Sequence, residues 1–525
     1  MIVMDLSLSD FFYNSECSIG LFIRMIGLVY AVCLGSFAVQ LPLLAGVHGL
    51  EPLHSSLATK WRHFGLKALW YYPTLFWLFG SSDFMLKFLP SVGALCGLLM
   101  AYGSSYTPCL SFVCWVILLS IDAGPSHLVY PWDSLLLETG FLCLWLPGTL
   151  SFTGSLASLA ALSPPSPILS FSLRWLTFRL LIGFGKLKFI GSGWKDRFYI
   201  RGFLINQPMV SPLGWWAHHA LPEWAWVVSL GYMAVVELVC PFGFFWTGIP
   251  RVVASVSISS LMLGIWATGN YGYFNILTVA LCVGSMDLGS SARLTFTSAD
   301  FVPPGSGPLF VEKGGSWALS PRVLSSPHMF PSLFCATVLL FYIFPISLLQ
   351  FVMNSWINLS WAYWGGVYRL KVHPSLLWTQ FLARVLRFSQ QFRLVSGYGV
   401  FPPHASPPQR WALCYEGSKD GVHWERYEYA HYLSSSRTPP AFIAPYHPRL
   451  DHAIFYESFG SAGFVARAFI RFRVKRNIRA LTTHKQHTRR AHSYFFFLTA
   501  PLYLCWATIT HTLSFHPAML GNVFR

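Results

Sequence analysis

Long apolar runs, separated by short polar or Pro/Gly-rich breaks, recur from residue 21 to 283 and again over 332–352, which is the pattern of bilayer-crossing helices. The first run, 21–46, is interrupted only by Arg24, whose long side chain can snorkel to the interface. Further spans are predicted at about 132–146, 224–245, 252–268, 274–283 and 332–352, with 150–162 as a short return; the runs 89–101 and 107–121 are so short that full crossing is expected of one of them alone. The stretch 61–79 is dense in aromatics and carries Pro73, so it reads as an interfacial or re-entrant helix rather than a clean crossing. Residues 206–218 read as an ordered loop at the interface, anchored by Trp215 and Trp216. The crossings number about eight to eleven.

The polar positions inside these runs are the informative ones. The stretch 128–142 is apolar enough for a bilayer yet holds Asp133 and Glu138, and 224–245 holds Glu237. An acid at mid-bilayer costs roughly 2.5–3.5 kcal/mol, so it faces a polar interior and pairs with something. The run 171–188 supplies cations: Arg179 and Lys186 are seven positions apart and share a helix face, with Gly183 on that face letting another backbone approach. Asp133 and Glu138 are five positions apart, about 140° around a helix, so they cannot both face one partner squarely. Two readings stand: a buried ion-pair network that fixes helix packing, and a proton relay or polar cavity.

Composition agrees with the pattern: 54% of residues are hydrophobic and 11% charged, which is a polytopic α-helical membrane protein. The net charge of +16 suits anionic headgroups or an acidic partner; no nucleic-acid motif accompanies it, so nucleic acid is not an expected partner. The cysteines lie mostly in apolar runs with no CxxC pair, indicating neither a disulfide framework nor a redox centre. Residues 1–18 carry Asp5, Asp10 and Glu16 and no early basic residue, unlike a cleavable signal. No Gly-x-Ser-x-Gly elbow precedes a suitable His, so no catalytic residue, enzyme activity or cofactor is expected. His484, His487 and His492 sit in a basic stretch without acids or cysteines, a poor place for a metal.

The chain divides into a tail (1–18), a membrane domain (19–290), a Ser/Pro/Gly-rich loop (291–330), a helix with its connector (331–366), a soluble β-rich module (367–465), a basic segment (466–492) and an apolar segment with tail (493–525). In the module, 411–415 and 422–429 flank a Gly-containing turn at Asp420-Gly421 and read as a hairpin; 452–459 reads as a short helix packed on it. Residues 467–492 hold nine Lys or Arg and no acid. Arg467, Arg471, Arg473, Lys475, Arg476 and Arg479 are candidates for anionic lipid or an acidic partner, and by the positive-inside tendency this run stays on the side of insertion, cytosol or mitochondrial matrix.

Several unusual phrases stand in one order: Leu128 to Leu142; Tyr72-Pro-Thr-Leu-Phe-Trp77; Arg179 through Lys188 with Trp194; Gln207-Pro-Met-Val-Ser-Pro-Leu-Gly-Trp-Trp216; Val235-Val-Glu-Leu-Val-Cys-Pro241; Thr268-Gly-Asn-Tyr-Gly-Tyr-Phe-Asn275; Glu416-Gly-Ser-Lys-Asp-Gly421 with Trp424; and Ala444-Pro-Tyr-His-Pro-Arg-Leu-Asp451. In this order the chain resembles the lipase maturation factor family of polytopic membrane proteins. The resemblance implies a multi-spanning domain followed by a β-sandwich-like module, and a chaperone-like role with secreted dimeric lipases in the endoplasmic reticulum. It places client contact in the module, where Glu416, Asp420, Trp424, Arg449 and Asp451 are the candidates. The chain departs from the family's Gln before and Trp after the Pro-Arg-Leu-Asp phrase, carrying His447 and His452; these read as surface or packing histidines of a shortened module. A second expectation is a non-catalytic accessory subunit of a larger membrane complex, with the mitochondrial inner membrane as its compartment, binding neighbouring subunits and anionic lipid.

Overall fold

Inside a bilayer no water bonds an exposed amide, so an apolar run must close its backbone hydrogen bonds on itself. The described apolar runs are accordingly helices; the run expected at 150–162 lies outside the described residues. The computed structural model describes residues 15–103, 106–124, 130–146, 167–189, 199–286, 310–313, 316–319, 334, 336–356, 377–399, 416–418, 423–426, 429–433 and 439–457. Helix α1 is Ser15–Ala45. After it come the short α2 (Leu53–Phe64), α3 (Lys67–Tyr71) and α4 (Phe76–Phe79), broken where Pro73 removes a donor. Then follow α5 (Asp83–Tyr102), α6 (Thr107–Ala123), α7 (Pro131–Cys143) and α8 (Pro167–Phe189). Next are α9 (Tyr199–Ile205), α10 (Pro212–Ala220), α11 (Glu223–Leu238) with a 3-10 extension at Cys240–Phe245, α12 (Ile249–Thr268) and α13 (Phe274–Ser285). An antiparallel pair, β1 (Phe310–Lys313) and β2 (Ser316–Leu319), precedes a π-turn at Leu339–Ile343 and α14 (Phe344–Trp356). The last elements are α15 (Leu377–Gln391), the antiparallel β3 (Glu416–Ser418) and β4 (Trp424–Arg426), and α16 (Arg449–Glu457).

Among the described residues, five helical stretches are long and apolar enough to cross a membrane: Ser18–Ala45, Asp83–Tyr102, Pro167–Lys186, Glu223–Phe245 and Ile249–Thr268. Hydrogen bonds at their ends set their directions. Val47 N donates to Asp83 Oδ1 (2.8 Å), while at the other end Arg24 Nη1 donates to Ala101 O (3.5 Å), so α1 and α5 run antiparallel. Lys60 of α2 donates to Ala123 O (2.9 Å), placing the end of α6 beside the α1–α5 connection. The short helices α2–α4 thus close one end of the bundle, hereafter the capped end. In the interfacial phrase 206–218, Ser211 caps α10 through Gly214 N (3.0 Å), and Gln207 Nε2 donates to Thr268 O (3.0 Å) at the end of α12.

Close approach of α1 and α5 depends on glycine. A Cβ at Gly97 would lie 2.7 Å from both Ala31 N and Gly27 O, distances that backbone atoms cannot relieve by rotating, and small residues at such crossings are the usual packing device in lipid.

Two expectations change here. The span expected at about 132–146 is the 13-residue helix α7, about 20 Å long and shorter than a hydrocarbon core of about 30 Å. Its residues are buried nearly throughout, so α7 is enclosed by the bundle rather than facing lipid, which is how it tolerates two acids. The β-rich module expected over 367–465 appears, among the described residues, as helices α15 and α16 with strands of three residues each at β3 and β4. Of its described residues, segments 392–399 and 439–457 dock into the capped end of the bundle. The expected segments 466–492 and 493–525 lie outside the described residues.

The α1–α5 crossing makes a direct prediction. Gly97→Val overpacks a backbone contact and costs about 1–3 kcal/mol, seen as a lower Tm of the purified chain in detergent. Gly264→Val, where an added Cβ meets nothing within 4 Å, leaves the Tm near the parent value.

Candidate functional site

The buried acids define the site, beginning with Asp133 in the first turn of α7. One carboxylate oxygen returns to the helix start, Tyr130 N donating to Asp133 Oδ2 (2.7 Å), so part of its charge serves the helix N-terminus. Across from it stands Arg449, at the start of α16. Its guanidinium grips the carboxylate with two hydrogen bonds, Nη1 to Oδ2 (2.5 Å) and Nη2 to Oδ1 (2.8 Å), the fork geometry in which Arg–carboxylate pairs are strongest. Tyr273 OH donates to the same Oδ1, and the Cys33 thiol lies 3.1 Å from the Tyr273 hydroxyl. Phe37 lies under the guanidinium at 3.7 Å, and both charged groups are wholly buried.

The segment carrying Arg449 is held over its length. Gln40 of α1 accepts from Arg449 N (2.9 Å) and donates to His447 O (2.9 Å). Tyr130 OH donates to Arg449 O (3.0 Å). Upstream, Asn270 Oδ1 accepts from Ile443 N (2.8 Å) and Ala444 N (3.1 Å), while its amide donates to Ala441 O (2.8 Å). His447 and His452 bond each other (2.9 Å) and pack against the stacked pair of Tyr130 and Trp132. Asp451 Oδ1 accepts from His431 N and Tyr432 N (3.0 Å each), tying 429–433 to the same strap.

Glu138, further along α7, faces α8. Arg179 reaches its Oε1, and the opposite oxygen accepts from Ser396 N (2.9 Å) and the Tyr398 hydroxyl. Arg179 also donates to Ser396 O (3.1 Å), so segment 394–398 is stitched to both partners. A Cβ at Gly183 would lie 2.5 Å from Tyr398 O; glycine there admits that backbone. Two more acids complete the set. Glu237 pairs with Lys188, and Asp122 at the end of α6 accepts from Arg393 Nε (2.8 Å).

Of the cations offered from sequence, Arg179 reaches Glu138, but the cation at Glu237 is Lys188; Lys186 lies 5.5 Å from the Phe351 ring. A two-residue step turns a helix by about 200°, which separates the two lysines. Arg449 needs a larger correction: expected on a client-binding surface, it is wholly buried against Asp133. His447 and His452, read as surface or packing residues of a module, are likewise wholly buried in the bundle. Glu416 pairs across the hairpin with Arg426, and Trp424 with Ser418. Asp420, Arg467, Arg471, Arg473, Lys475, Arg476 and Arg479 lie outside the described residues. Sequence reasoning missed Tyr273, Ser396, Tyr398 and the Asp122–Arg393 pair. Asp122 sits in the turn ending an apolar run and carried the same signal as Asp133.

Chemically this array neutralises itself. Both oxygens of Asp133 and of Glu138 accept hydrogen bonds from groups on other segments, so the set is built to hold those segments together. Among the described residues no group of three His, Cys, Asp or Glu converges to hold a metal ion.

Three segments distant in sequence, around Asp133, Tyr273 and Arg449, therefore meet at one buried charge, and comparison with known proteins gives that architecture a family. Residues 18–292 match the model of the lipase maturation factor transmembrane domain. The chain belongs to the lipase maturation factor family. Lipase maturation factor 2 of Mus musculus is 26% identical over 514 residues, covering 84% of this chain and 72% of the relative. Lipase maturation factor 2 of Homo sapiens is 25% identical, covering 84% and 71%. Lipase maturation factor 1 of Bos taurus is 25% identical over 453 residues, covering 83% and 74%. No solved structure matches. In this lipase maturation factor family member the matched region stops near α13, so Arg393, Ser396, Tyr398 and Arg449 come from beyond it and complete its charges.

Two predictions arise. Arg449→Met strands a buried carboxylate and costs about 3–5 kcal/mol, read as a fall in Tm and yield; the double variant with Asp133→Leu recovers most of that loss. Burial and the nearby Arg449 cation push His447 well below its ordinary value of 6.5 and His452 down to about 3. Docked, both stay neutral, whereas the released strap takes up protons below about 6.5. Docking is therefore fully stable above that pH and weakens as pH falls toward 3. Hydrogen exchange over 439–457 at pH 7.5 and 5 measures this, with faster exchange at pH 5; His447→Gln with His452→Trp flattens the difference.

Proposed function

We propose that this protein assists the maturation of lipases from within the endoplasmic reticulum membrane, as a folding helper rather than a catalyst. The observation that carries the reading is the family match over 18–292, joined to relatives named as lipase maturation factors over more than four fifths of this chain. The buried array supports it: four acids each paired with a cation make the bundle a scaffold, and client contact falls to surfaces outside it. Neither comparison lends support to the accessory-subunit reading in the mitochondrial inner membrane.

The test is complementation. In cells lacking their own lipase maturation factors, expressing this chain with a secreted dimeric lipase raises secreted lipase activity several-fold, and the chain fractionates with reticulum membranes. Unchanged lipase activity at normal membrane expression, or fractionation with mitochondrial inner membrane, rejects the proposal.

A further inference from the structure

At the capped end, α2–α3 and α15 form one continuous surface whose composition differs from the rest of the bundle. The ring of Trp70 lies 5.6 Å from those of both Phe388 and Phe392, joining the two elements. Phe388 packs on Tyr342, and Arg393 just beyond α15 pairs with Asp122 at the end of α6. The layer sits where three helices end, since α2–α4 link Ala45 to Asp83 and Lys60 bonds Ala123. It therefore lies along the membrane boundary, where α1, α5 and α6 leave the apolar zone.

Its side chains are of two kinds. Trp61, Phe64, Leu66, Leu69 and Trp70 are exposed, the amphipathic and aromatic content of an in-plane segment. Between them stand cations. Residues 52–82 and 377–399 together contain no acid and six Lys or Arg. Two of the six are committed inward, Lys60 to the carbonyls of Ala123 and Gly124 and Arg393 to Asp122. The other four, Arg62, Lys67, Arg384 and Arg387, are exposed.

We propose that this surface is an in-plane docking site for anionic phospholipid, with Arg62, Lys67, Arg384 and Arg387 receiving headgroup phosphates while Trp61, Phe64 and Trp70 insert at headgroup depth. Charge complementarity selects the occupant. A layer whose exposed cations outnumber the acids at its border, Glu51 and Asp83, lies at the depth of the lipid phosphates, is interleaved with aromatics and attracts a negatively charged headgroup, whereas a protein partner requires acids at matching positions away from the bilayer. The inference rests on the membrane-spanning fold and not on the lipase role, so either can fail without the other.

The test uses the full chain purified in nonionic detergent with equimolar phosphatidylcholine and phosphatidylinositol, and mass spectrometry of the lipid retained per protein. Phosphatidylinositol is enriched over the bulk ratio, and 0.5 M salt reduces the enrichment. The variant Arg62→Gln/Lys67→Gln/Arg384→Gln/Arg387→Gln loses it, by about fivefold for each cation removed. These residues are exposed, and an unchanged elution profile and Tm confirm folding. Equal retention of both lipids by the parent chain overturns the proposal. So does undiminished enrichment in the fourfold variant.

Discussion

A carboxylate inside an apolar bundle has to be neutralised, and Asp133 is neutralised by a residue 316 positions later in the chain. That one constraint orders much of the capped end. Arg449 reaches Asp133 only if the strap 439–457 lies across α1, α7 and the start of α13, and Gln40, Tyr130 and Asn270 fix it in that path. Apolar contacts alone would let such a strap slide by a residue. The forked ion pair does not, because a shift of one residue separates the guanidinium from the acid and leaves both charges orphaned.

The remaining acids repeat the solution on a smaller scale. Glu138 draws in 394–398 through Arg179, Ser396 and Tyr398; Asp122 holds Arg393; Glu237 joins α11 to α8 through Lys188. Three of these four acids thus tie later parts of the chain to earlier ones. The charges in the membrane domain are the means by which its sequence-distant segments find a single register.

The helices were legible in the sequence because the apolar runs are long and their interruptions are Pro, Gly or charge. The acids were legible as anomalies, and Arg179 as a cation on a shared face. What could not be read was long-range pairing. Nothing local in Pro-Arg-Leu-Asp distinguishes an arginine for a partner surface from one for a buried acid, and the hairpin signal at 416–426 favoured a module. The choice between Lys186 and Lys188 turns on about 200° of helix rotation, which depends on where α11 packs. The Tyr398 and Ser396 contacts with Glu138 come from a short extended segment with no periodicity to mark it.

The separation of Asp133 from Arg449 also has a meaning in time. At about 5–20 residues per second, roughly 15–60 s of synthesis lie between the two residues. Through that interval α7 is already made while its counter-charge is not, so the newborn membrane domain carries an uncompensated acid. A ribosome that stops short of residue 449 leaves that defect permanent. Assembly of this protein is therefore self-proofreading: the bundle is electrically complete only in a chain translated past its strap, and an interrupted product exposes its own incompleteness to membrane quality control.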